Sequence, residues 1–222
     1  MRKIICSTFV SLDGVMQAPG GPQEDPSGGF AFGGWVFPHW DETMGEVMDR
    51  LFAAPFDLLL GRKTYEIFAA HWPYIENDPI ADAFNRVTKF VATRSPGPLA
   101  WHNSVAISGD VPSELHRLKQ EKGPDLLVQG SGVLLQTLFG HGLIDELQVL
   151  IFPVLLGRGK RLFGDSVRPS GLRLLDSRTS TTGVVMSRYL PDGPVRTGSF
   201  AQEEPSEAEV ARREKWRKEE VQ

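Results

Sequence analysis

Gly61-Arg62-Lys63-Thr64 directly follows the apolar run Phe56 to Leu60. A phosphate needs backbone N–H groups free to point at it and a positive field, and a helix N-terminus entered through a glycine supplies both. Gly61 permits close backbone approach, Arg62 and Lys63 add charge, and Thr64 either caps the helix or donates its hydroxyl to a phosphate oxygen. Gly130-Ser131-Gly132 repeats the arrangement between the strand-like Leu126 to Gln129 and the apolar helical stretch Val133 to Phe139. Two such turns suit a diphosphate, although each alone also describes an ordinary capped helix or a tight turn that needs positive φ. Neither forms Gly-x-Gly-x-x-Gly after the first strand, so an ordinary Rossmann domain is disfavoured. Arg94-Ser95, after the run Lys89 to Thr93, offers a cation and a hydroxyl suited to the 2′-phosphate of an adenosine ribose; a surface arginine is the plainer reading.

Other chemistries lack their signatures. The five histidines, His39, His71, His102, His116 and His141, have no metal-ligand spacing, and the single cysteine, Cys6, cannot build a cysteine-rich zinc site, so no metal is expected. There is no Gly-x-Ser-x-Gly elbow and no Walker loop. Asp13 and Asp41 are the proton-relay candidates, with a turn residue and a helix N-cap as their structural alternatives. Trp35 and Trp40 belong to an aromatic group with Phe30, Phe32, Phe37 and His39. Their rings suit stacking on a flat heteroaromatic substrate or, equally, packing in a core.

These residues need elements to hold them. Ile4 to Val10 reads as a buried first strand closed by Ser11-Leu12-Asp13-Gly14, and a breaker-rich loop runs from Gln17 to Gly34. Met44, Val47, Met48, Leu51 and Phe52 recur at helical spacing until Pro55. A helix over Lys63 to His71, strands over Phe56 to Leu60 and Lys89 to Thr93, and a long strand over Leu147 to Leu156 interrupted at Pro153 follow. Leu172 to Arg178 and Val184 to Leu190 form a hairpin through Ser180-Thr181-Thr182-Gly183. The order predicts an α/β domain over residues 1–192 with a largely parallel sheet and an antiparallel edge. Residues 193–222 form a charged tail, helical or disordered.

The 222 residues suffice for one substantial core, and a net charge of -4 argues against nucleic acid or anionic membrane as partner, leaving a small molecule. No run of some twenty apolar residues is present to span a membrane. A single cysteine suits a reducing, cytoplasmic compartment.

Ser11-Leu12-Asp13-Gly14, Gly61-Arg62-Lys63-Thr64-Tyr65-Glu66, Gly130-Ser131-Gly132 and Pro153-Val154-Leu155-Leu156-Gly157-Arg158-Gly159-Lys160-Arg161-Leu162-Phe163 occur in that order. As a set they resemble the dihydrofolate-reductase-like family that includes the reductase domain of bifunctional riboflavin-pathway deaminase-reductases. The resemblance implies a central mixed sheet, NADPH as hydride donor and often a homodimer. It would set Gly61 to Thr64 and Gly130 to Leu134, hence Val133 as well, around the cofactor diphosphate, with Arg94 and Ser95 near the adenosine phosphate. Two departures concern the substrate. Asp41 or Glu42 lies near, but not in a clear match to, the acidic residue with which folate reductases hold the pterin. Phe52-Ala53-Ala54-Pro55 stands where the riboflavin-pathway reductases carry His-x-Leu-Arg. The expectation is an NADPH-dependent reductase of a small pterin-like or pyrimidine-like substrate; the alternative is a nucleotide-binding or sensory module that keeps the pocket without turnover.

Overall fold

The β-branched and apolar segment Ile4–Ser11 forms β1, and its side chains are buried on both faces because strands flank it and helices cover it. The computed structural model describes residues 1–94, 97–165, 167–200 and 204–220. Along the chain follow α1 (Glu42–Ala53), β2 (Phe56–Gly61), α2 (Arg62–Ala69), α3 (Pro79–Arg86), β3 (Lys89–Ala92), β4 (Ser104–Ile107), α4 (Val111–Gln120), β5 (Asp125–Val128), α5 (Gly132–Gly140), β6 (Glu146–Phe152), β7 (Leu172–Thr179), β8 (Val185–Pro191) and α6 (Glu207–Glu219).

The eight strands form one sheet in the order β4-β3-β2-β5-β1-β6-β8-β7. β4 through β6 run parallel, and β8 and β7 add an antiparallel edge. This is the mixed sheet of the dihydrofolate-reductase-like class expected above. Even-numbered positions of β1 (Ile4, Cys6, Val10) pack with Leu115 and Leu118 of α4 and Leu134, Leu135 and Leu138 of α5. The opposite face packs Leu150 and Phe152 of β6 against Met44, Val47 and Met48 of α1, and Leu58 and Leu60 of β2 against Tyr65 of α2 and Phe84 of α3. The Cys6 thiol lies in the first of these cores, and burial pushes its pKa up to about 12.

α3, β4 and α4 are not announced by apolar runs. β4 is a four-residue edge strand, and α3 and α4 show themselves mainly through Asp78 and Asp110, which cap them ahead of prolines in the first turn. β3 carries a buried Lys89 whose ammonium donates to the carbonyls of Phe84 (3.1 Å) and Asn85 (3.0 Å) at the end of α3 and lies 4.5 Å from the centre of the Trp101 ring. α6 has no buried residue and is laced by Glu209 with Arg212 and Arg213.

One detail of register opens the sheet. β5 pairs with β1 only at Ile4 to Cys6 and with β2 only at Phe56 to Leu58. β1 continues to Ser11 beside β6, and β2 continues to Gly61 beside β3. Beyond Val128 the carboxyl ends of β1 and β2 are therefore separated by a gap, the place where open α/β sheets bind ligands.

Candidate functional site

Two helices begin at this gap, and both lack the side-chain cap that the others have. Asp41 caps α1 through Met44 N–H, Asp78 caps α3, Asp110 caps α4 and Ser206 caps α6. α2, entered through Gly61, and α5, entered through Ser131, have no side-chain cap. In α5 the N–H of Leu135 bonds the Ser131 carbonyl at 2.9 Å, so the amides of Gly132, Val133 and Leu134 precede the first full helical turn. Each helix start presents free donors and the positive end of its dipole.

The two starts touch. The Ser131 hydroxyl, which does not cap its own helix, accepts from Gly61 N–H at 2.7 Å. A Cβ on Gly61 would lie 3.1 Å from Ser131 Cβ and 3.2 Å from its Oγ, so only glycine allows this approach without displacement. Ser131 is held at φ 69°, ψ 72°, a left-handed conformation that costs a non-glycine residue about 1–3 kcal/mol. Gly130 has φ 92° and open space where a Cβ would stand.

The cations divide. Arg62 is turned away, donating to Glu66 Oε1 at 2.6 Å and to the Gly97 carbonyl at 3.1 Å, so it ties α2 to the segment after β3. Lys63 is exposed, Thr64 is half-buried, Val133 is exposed and Leu134 is buried, so Leu134 offers the gap its backbone alone. Arg94 is exposed just beyond β3, next to β2; Ser95 lies outside the described residues.

Asp13 and Asp41 are both bound as acceptors. Asp13 receives the Ser11 hydroxyl at 2.6 Å, Leu156 N–H at 3.1 Å and Gly157 N–H at 2.8 Å. Its pKa falls to about 2, first through the Ser11 bond and then through those amides. Asp41 Oδ2 receives the N–H (2.8 Å) and hydroxyl (2.7 Å) of Thr181, which with the Met44 bond lowers its pKa as well. Both carboxylates are ionised at neutral pH and both fasten loops across the fold.

The aromatic group also separates. Trp35 is buried, donates to the Gln17 carbonyl at 2.8 Å and meets Phe152 edge-on at 5.2 Å. Trp40 is 45% exposed and meets only Phe9 among the described rings, edge-on at 6.2 Å. Trp40 is thus an exposed ring set on the partly buried Phe9, whereas Trp35 belongs to the core.

Gln17 is a residue that the sequence does not single out. Its amide donates to the carbonyls of Asp25 and Ser27, both at 2.9 Å, and accepts from Lys160 N–H at 3.0 Å. Lys160 also pairs with Asp25. The long Gly- and Pro-rich loop is thereby latched to the segment after β6, around a cavity of about 300 Å³ lined by Gln17, Ser27, Phe30, Arg158 and Lys160. The partners are far apart in the chain, and no periodicity links them.

Among the described residues no group of His, Cys, Asp and Glu is placed to hold a metal ion, and no helix is long and apolar enough to cross a membrane. The model of the RibD C-terminal domain family matches residues 2–186. The chain is 26% identical over 192 residues to the uncharacterized protein YyaP of Bacillus subtilis (strain 168), covering 85% of this chain and 94% of that one. Among solved structures it is similar to a pyrimidine reductase-like protein from Corynebacterium diphtheriae (TM-score 0.58, 12% identity, 88% of this chain and 93% of that one). It is likewise similar to dihydrofolate reductase from Enterococcus faecalis in complex with NADP(H) (TM-score 0.55, 14% identity, 86% and 96%).

Proposed function

The chain belongs to the RibD C-terminal domain family, and on that premise we propose that it is an NADPH-dependent reductase that passes hydride to a small pterin-like or pyrimidine-like substrate. The observation that carries the proposal is the pair of uncapped helix starts, α2 and α5, joined by the 2.7 Å bond from Gly61 N–H to Ser131 Oγ at the gap beyond β5. Four of the six described α-helices have a side-chain oxygen on their first-turn amides; these two keep theirs for a ligand. A diphosphate satisfies both starts at once, with Gly61 to Thr64 on one side and Gly130 to Leu134 on the other. Arg94 lies on the neighbouring strand end, where a cation would favour the 2′-phosphate and hence NADPH over NADH.

When bound, NADPH supplies the hydride from nicotinamide C4. The chain's own part is to hold and orient. The amides of α2 and α5 fix the phosphates, and Trp40 and Phe9 offer a face for a flat ring. Asp13 and Asp41, as ionised acceptors, keep the loops after β6 and β7 in place.

We extend the proposal to a cytoplasmic homodimer. β7 lies at one end of the sheet with a strand neighbour on one side only, and it exposes Leu172, Leu174 and Leu175, a combination that favours pairing with a second copy.

Titrating the protein into NADPH and following cofactor fluorescence, then absorbance at about 340 nm with pterins, flavin precursors and small quinoid heterocycles, tests the reading. Binding with oxidation is expected. Binding without oxidation by any substrate class would favour a sensory module, and the absence of NADPH binding would overturn the proposal.

A further inference from the structure

Among the described residues one buried side-chain polar atom has no hydrogen-bond partner, Gln148 Nε2 on β6. Gln148 is 3% exposed. Protein interiors satisfy nearly all such donors, and a bound ligand is one of the ways in which an orphan is completed.

Its place in the sheet defines what that is. Glu146, Gln148, Leu150 and Phe152 alternate onto the face covered by α1, where Leu150 and Phe152 pack with Met44, Val47 and Met48. Gln148 is paired in register with Ser7 of β1. Ser7 is the first β1 residue beyond the stretch paired with β5, so it stands at the lip of the gap, and Phe9, which meets Trp40, is two residues on and on the same face. Gln148 thus stands one strand spacing, about 4.8 Å, from β1, on the face of the sheet that α1 covers. On the other side lies Arg188, in register with Gln148, but its guanidinium is engaged by Glu146 at 2.8 Å and Asp176 at 3.0 Å. The neighbouring charges are therefore paired with one another and leave the free N–H to an uncharged acceptor, and Phe9 with Trp40 on the same face of β1 suits an acceptor carried on a flat ring.

We infer that Gln148 is a specificity-determining residue of the substrate site, donating from Nε2 to a carbonyl or ring nitrogen of a planar heterocycle seated between α1 and β1. The inference rests on the reductase reading above and gives its substrate a required feature: an uncharged acceptor atom at the ring edge.

The test uses the NADPH-loaded full chain and lumazine, a dioxopteridine, as probe. Lumazine titration should shift the Gln148 side-chain amide pair in ¹H–¹⁵N spectra, and Gln148→Met should raise the lumazine Kd about tenfold while leaving the NADPH Kd and the folded spectrum intact. The melting temperature of Gln148→Met should be unchanged or higher, because the substitution removes an unpaired buried donor; a glutamine kept for structure would instead lose stability when replaced. Loss of stability, an unmoved Gln148 amide, an unchanged lumazine Kd, or no lumazine binding to the NADPH-loaded protein overturns the inference and leaves the cofactor reading standing. Failure of wild-type protein to bind NADPH overturns the reading beneath it.

Discussion

Gly61→Ala puts the proposed cofactor site under direct test. The backbone at Gly61, φ -79° and ψ 158°, is one that alanine adopts without strain, so the whole effect comes from the added methyl. That methyl would stand 3.1 Å from Ser131 Cβ, 3.2 Å from Ser131 Oγ and 3.5 Å from Leu134 Cβ. Ordinary contact begins near 3.4 Å, so the starts of α2 and α5 must separate by a few tenths of an ångström. Overpacking of this kind costs about 1–3 kcal/mol, and the lower entropy of the unfolded alanine chain returns about 0.4–1. A net loss of about 1–2 kcal/mol in a chain of this size lowers the melting temperature by roughly 3–6 °C. Cofactor affinity should suffer more. Hydrogen bonds to a charged group contribute about 1.5–3 kcal/mol each, and misaligning one of the amides that converge on the diphosphate raises the NADPH Kd by roughly 10–100-fold. Calorimetric titration with NADPH alongside thermal melting reads both numbers. A variant that melts within these few degrees of wild type yet binds NADPH within twofold of it would refute the placement of the phosphates between Gly61 and Ser131.

Three further outcomes follow from other parts of the molecule. Arg94→Gln should weaken NADPH about tenfold, roughly 1.4 kcal/mol, and leave NADH binding unchanged; equal loss for both nucleotides would place the 2′-phosphate elsewhere. Burial lowers the Lys89 ammonium from 10.5 to about 8, with Asp57 opposing, so between about pH 8 and 10.5 the unfolded chain holds the extra proton and stability rises with pH. The urea midpoint of wild type minus that of Lys89→Met should grow from pH 7.5 to 10, and a flat difference would contradict the buried placement. Gly159→Ala would set a methyl 2.5 Å from Val15 Cγ1 at φ +134° and should cost about 3 kcal/mol or more, whereas Gly157→Ala, at φ +74° with nothing within 4 Å, should cost only about 1, as paired melting curves would reveal.

Elements whose signal is local are legible in the chain of residues. The apolar run of β1, the helical spacing from Met44 to Phe52 and the two glycine turns after β2 and β5 stand where their residues foretold, because each is decided by neighbours within a few positions. The mixed order of the sheet followed from alternating strands and helices ending in a strand pair. The long-range pairings came from the tertiary structure. It made the Ser131 hydroxyl the partner of Gly61 N–H and set Arg62 on the Gly97 carbonyl. It added amides more than a hundred residues away to the neighbouring Ser11 hydroxyl, the first cause of the lowered Asp13 pKa, and divided Trp35 from Trp40 into a core ring and an exposed one. Gln17 and Gln148 carried no mark in the sequence at all, since a glutamine's role depends on which donors and acceptors the fold sets within 3 Å of it, and that is fixed only when distant strands come into register. Gly61-Arg62-Lys63-Thr64 marked the candidate phosphate turn in the chain; the short β5 beside it made the gap at which that turn stands.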